Sequence, residues 1–277
     1  MDHEIKVTNT NTFTVLNLFT SLLSLHANLE VVHAEVIKDN IKRRLEFLET
    51  SQVLAAQSLA ETLWRLDEVR QGFRPKSGAQ VEQALRWVLS RQGLKGSYMN
   101  LFAPTEKDLI GVKLPTGERI EFAALRHILG EEALRTAIAW NLESSHEAAK
   151  AAASFNQLLE RGENCAKTSG FFCCYKCTSA FLRTLNVVRP EKWKEIMEKG
   201  IQNIRKERTS DGRWHGFPFF YTLLTLSEID SPSAEAELRH ASKIAHRLLP
   251  RYQKDDRTSC FRKLGLEAAK SAENQYQ

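Results

Sequence analysis

The sequence predicts an all-α fold, a stack of helix pairs arranged as an open solenoid or a closed ring, and three observations predict it. Leu, Ala, Glu, Lys and Arg are abundant and recur at helical spacing, whereas 13 Gly and 7 Pro are few for an all-β chain of 277 residues. A polar helix followed by an apolar one recurs five times along the chain. The clearest copy is Lys199 to Leu226: a polar helix, a break at Ser210-Asp211-Gly212, a turn through Trp214-His215-Gly216-Phe217-Pro218, and an apolar helix. Gly212 permits positive φ beyond the first helix, and Pro218 has no N–H to lose where the second begins.

Composition narrows the class. Hydrophobic content of 42% with 26% charged residues is that of a soluble globular protein. A net charge of +5 over this length is mild and carries no nucleic-acid signature. Five cysteines, an odd number with three of them inside Cys173–Cys177, do not form a secreted disulfide framework and point to the cytoplasm.

Taken in order, residues 1–28 are expected to be poorly ordered or a docked helix. The opening MDHEIKV is acidic where a signal peptide is basic, and the apolar run Val15–Leu25 is about half the roughly 20 residues needed to span a bilayer, so no transmembrane segment is expected. Residues 29–277 read as one domain. Its first helix is amphipathic through Val32, Val36, Ile41, Leu45 and Leu48.

The repeat is anchored on Gln52, Gln92, Gly162, Arg208 and Gln253, at intervals of 40, 70, 46 and 45 residues. An apolar helix follows each anchor, over Ala55–Val69, Phe122–Trp140, Phe172–Leu185, Phe219–Leu226 and Cys260–Ala269. The long second interval holds an insertion, 103–121. There Leu109 to Lys113 and Arg119 to Phe122 flank Pro115-Thr116-Gly117, a pattern that reads as a short β-hairpin covering one end of the array. A dry helix cannot be buried by its own pair, so five of them are expected to lie side by side as an inner layer.

Two copies carry a resemblance. Lys199-Gly200, Ile204 and Gly212-x-Trp214, and again Trp87 to Gln92 with Gly96-x-Tyr98, keep the spacing of the QW repeat of squalene and oxidosqualene cyclases. Over residues 30–270 the chain resembles the terpenoid-cyclase and protein-prenyltransferase superfamily, which implies an α/α toroid around a cavity for a hydrophobic, isoprenoid-like ligand. Asn203 stands where the repeat has an aromatic residue and Arg208 where it has Gln. The acidic D-x-D-D motif of the cyclases is missing. Asp255-Asp256 is the nearest match, and its charged neighbours make it a solvated turn. The Asp-x-Cys zinc pair of the prenyltransferases has no counterpart at Asp256 and Cys260, so the resemblance transfers no catalytic residue.

Candidate site residues fall in two groups. Trp64, Phe172, Tyr175, Trp214, Phe217, Phe220 and Tyr221 are the aromatics that would line a hydrophobic cavity. Aligning the repeats on their glycines makes Cys173 and His215 equivalent, at the starts of neighbouring inner helices. With Cys165, Cys174 and Cys177 they make up a possible zinc set, since Cys173 and Cys177 are spaced i, i+4. Against this, buried cysteine is ordinarily a small core residue. Arg239, Lys243, Arg247 and Arg251 form a basic stripe, and Glu61 and Arg65 pair beside Trp64. Three functions are compatible with the sequence: a toroid binding a hydrophobic ligand, a non-enzymatic helical scaffold for a partner protein, and a zinc- or thiol-dependent enzyme.

Overall fold

A computed structural model describes residues 52–75, 77–120, 122–161 and 166–274. The chain divides into two units at Gln52 and Val53, and the second unit holds all the elements below. The readings made for residues 1–51 and for Cys165 lie outside the described residues.

Twelve α-helices and one short 3-10 turn are present among the described residues. Five are the apolar helices of the repeat: α1 (Leu59–Arg70), α4 (Phe122–Ala139), α7 (Tyr175–Val188), α9 (Phe219–Ser227) and α12 (Arg257–Asn274). The polar partners are α2 (Gly78–Leu89), α5 (His146–Leu159), α8 (Trp193–Lys206) and the pair α10 (Pro232–His240) and α11 (Ser242–Leu248). Two single-turn helices, α3 (Glu106–Leu109) and α6 (Ala166–Ser169), complete the set. None of these helices is long and apolar enough to cross a membrane.

Packing follows the repeat. α1 lies against α4, α4 against α7, α7 against α9, and α9 against α12. Leu63, Leu125, Phe181, Leu223 and Phe261, one from each, are buried in a common core. Each such side chain contributes about 1.5–3 kcal/mol on leaving water. Between α12 and α1 the link is ionic: Arg257 donates to Glu61 at 2.7 Å and to Glu68 at 2.5 Å. Phe73 meets Phe261 edge-on beside it. The outer helix α8 comes unusually close to the layer beneath. A Cβ on Gly200 would overlap Leu182 and stand 3.0 Å from the Gly170 carbonyl, so glycine is required there.

The insertion corrects the expected hairpin. No strand forms among the described residues, and only a single bridge joins Lys113 to Arg119. Leu109 and Ile110, read as strand, end α3. That turn forms because Thr105 and Asp108 cap it reciprocally, which satisfies its first N–H groups locally. The segment is a plug instead. The buried Asp108 carboxylate accepts the N–H groups of Leu59 and Ala60 at the start of α1. Glu118 accepts those of Phe220 and Tyr221 at the start of α9, and the Thr116 carbonyl accepts from Arg262 of α12. Carboxylates at helix N-termini satisfy otherwise unpaired donors and oppose the helix dipole favourably.

The basic stripe Arg239 to Arg251 does not ride on one helix, because the chain breaks at Ala241 between α10 and α11. There the turn at Gly212 presses on the chain, with His240 bonded to the Arg213 carbonyl.

Candidate thiolate metal centre

The inner helices α1, α4, α7 and α9 meet on charge, where an apolar cavity was expected. Arg135 of α4 donates to Asp67 of α1 and, at 2.7 Å, to Glu132. Arg183 of α7 donates to the other oxygen of Glu132 at 2.7 Å and holds Glu228, beyond α9, through two bonds of 2.9 and 2.7 Å. Tyr221 of α9 donates its hydroxyl to Glu132. Arg135, Arg183, Glu132 and Asp67 are all at most 1% exposed. Such charges are tolerated in an interior only when paired and hydrogen-bonded. Burial raises the Glu132 carboxyl, but Arg135 and Arg183 outweigh it and the net shift is downward. Glu228 is held at about 2, its burial overcome by Arg183 and Arg135.

The predicted aromatics are accordingly dispersed. Trp64 bonds through Nε1 to the Lys113 carbonyl and lines a pocket of about 440 Å³ with Leu114, Arg257 and Thr258. Tyr175 packs on Phe217 and reaches Glu207, while Trp214 packs on Phe219 and donates to Glu237. Phe220 lies under Arg262. Tyr221 alone of the seven enters the charged centre, and does so as a hydrogen-bond donor. Phe172 lies elsewhere, beside the cysteines.

The cysteines do converge with an imidazole, but a different one. Nδ1 of His127, on α4, is 3.6 Å from Sγ of Cys177 on α7. Together with Cys173 these donors all lie within 4.8 Å of one another. Tetrahedral zinc with Zn–S of about 2.3 Å and Zn–N of about 2.0 Å sets sulfur and nitrogen about 3.5 Å apart, which the His127–Cys177 distance matches. His215 is exposed and outside this group; its backbone N–H is spent on the Glu207 carbonyl. The imidazole that meets the cysteines comes instead from α4, the helix most extensively packed on α7. His127 was legible only as one of several polar residues, with Arg126, Glu131, Glu132 and Arg135, inside a helix read as apolar.

Local geometry fixes the thiols. Cys173 takes φ +57, which turns the chain so that Cys174 becomes the N-cap of α7. Sγ of Cys174 accepts the Cys177 N–H at 3.5 Å. The thiol of Cys177 lowers Cys174 to about 6, reinforced by the N–H groups of Cys177 and Lys176 against a smaller effect of burial. Cys177, which makes that hydrogen bond and is itself buried, is shifted strongly upward. Burial pushes His127 down, toward the neutral form that a metal requires.

Around the imidazole stand Tyr98, with ring centres 3.9 Å apart, and Phe172, at 5.4 Å. Behind it, one helical turn along α4, Glu131 is fully buried and neither carboxylate oxygen has a hydrogen-bond partner among the described residues. Burial, then Glu132 and Cys174, raise its carboxyl well above the ordinary range. Asp256, by contrast, is an exposed cap on Ser259 and no buried acid.

No protein-family model, curated protein or solved structure matches this chain.

Proposed function

We propose that residues 53–277 form an α/α ring of five inner helices that binds a hydrophobic, isoprenoid-like ligand beside a zinc–thiolate centre held by His127, Cys173 and Cys177. The observation that carries it is the convergence of one imidazole and two thiols within 4.8 Å, from two helices that pack together. Three protein ligands leave a fourth zinc position for water or substrate, the pattern of catalytic sites. Cys173 is exposed, so that position is open to solvent. Tyr98 and Phe172 supply an apolar wall on the imidazole side. The ring is supported by the order of inner-helix contacts and by Arg257, which ties the last inner helix to the first. The insertion then sits as a plug at the N-terminal end of that ring, bonded to the first turns of α1 and α9.

Elemental analysis of the purified full chain, with mass spectrometry of co-purified lipid, tests both halves. One zinc per chain and a retained apolar ligand are the expected results. A metal-free chain that binds no lipid and instead captures a defined protein partner would replace this reading with that of a scaffold.

A further inference from the structure

Cys174 and Cys177 stand apart from the other thiols in how they share one helix end. Cys174 is the N-cap of a 14-residue helix, and the N–H three residues on is aimed at its sulfur. Cys177 is the residue that supplies this N–H, so both sulfurs belong to the first turn of α7. The two differ in access: Cys174 is half-buried and Cys177 is 0% exposed. Attack from solvent therefore falls to Cys174, and resolution to Cys177.

We propose that Cys174 and Cys177 form a reversible dithiol–disulfide couple, oxidised by low-molecular-weight disulfides of the glutathione type, and that closing it takes Cys177 out of the metal centre. The last clause rests on the zinc reading; the couple itself does not. The Cys174 sulfur attacks one sulfur of the disulfide, whose S–S bond breaks, and the first thiol leaves carrying the proton that Cys174 gives up. The Cys177 sulfur then attacks Cys174, displacing the second thiol, which takes the Cys177 proton. Two protein thiols are oxidised, one external disulfide is reduced to two thiols, and the helix N-terminus stabilises the attacking sulfur throughout.

The full chain is assayed for zinc, treated with excess oxidised glutathione, and mapped by mass spectrometry without reduction. The expected result is an internal Cys174–Cys177 link that dithiothreitol reverses, with loss of two thiols and release of any bound zinc. Cys174→Ser is expected to abolish the link while keeping zinc, and Cys177→Ser to stop at a glutathione adduct on Cys174. Adducts confined to Cys173, or a Cys173–Cys177 link in its place, overturn the couple. Zinc absent before oxidation, with the Cys174–Cys177 link still forming, overturns the metal reading and leaves the couple standing.

Discussion

Nδ1 of His127 and Sγ of Cys177 face each other at 3.6 Å across the contact between α4 and α7, although 50 residues separate them in the chain. Cys177 shares the first turn of α7 with Cys174, but His127 comes from another helix, so the group exists only because α4 and α7 pack.

Replacing His127 therefore separates the imidazole of the structure from that of the repeat alignment. His127→Ala is expected to weaken zinc binding by more than about tenfold, and His215→Ala to leave it unchanged. Competition with a chromophoric chelator measures both. The reverse ranking would restore His215 to the site.

Arg183 bonds to Glu132 and Glu228 from a position 1% exposed. Arg183→Met strands a buried carboxylate, and the expected loss is about 3–5 kcal/mol in urea unfolding. A loss below about 1 kcal/mol would mean that the network is dispensable.

Two carboxyls give the stability opposite dependences on pH. Glu228 is depressed from 4.5 to about 2, so its contribution is complete above 4.5 and is lost as pH falls toward 2. Glu228→Gln is expected to flatten this acid limb of the melting profile. Glu131 is raised above 4.5, so the folded chain holds a proton that the unfolded chain releases, and stability declines as pH rises from 4.5 toward the folded value. In chelator-treated protein, Glu131→Gln is expected to melt no lower than the parent at pH 7 and to lose that decline.

Gly200→Ala drives a methyl into Leu182 and toward the Gly170 carbonyl. The expected cost is about 1–3 kcal/mol, seen as a lower melting temperature.

Arg208 donates twice to Glu237, at 2.9 Å each, and once to the Ala236 carbonyl. Glu237 is 0% exposed and also holds Arg205 and Trp214. Arg208→Gln is expected to destabilise by about 1–3 kcal/mol, since a buried carboxylate loses a charged partner. An unchanged melting temperature would show that Arg205 and Trp214 suffice.

Much of the helical layout was legible because apolar periodicity is a local property. Phe122 and Phe219 begin α4 and α9 as the pattern predicts, and the other three inner helices start within four residues of their expected places. The insertion was misread because Leu109-Ile110-Gly111-Val112 has strand composition, while the Thr105 to Asp108 capping box that makes it a turn of helix was overlooked. The centre was misread for another reason. Glu131, Glu132, Arg135 and Arg183 lie inside helices that are otherwise apolar, a visible sign of buried charge, but which acid pairs with which base depends on helix contacts that spacing does not contain.

Helix positions, their order of wet and dry faces, and the two cysteines of one α7 turn were determined by the sequence itself, because hydrogen bonding within a helix and the 3.6-residue period act over a few neighbours. Tertiary structure alone decided that His127 meets Cys177, that Asp108 and Glu118 cap helices about 50 and 100 residues away, and that the inner helices close on ions. Those are pairings between distant segments, and their energies arise only after packing has removed water from between them.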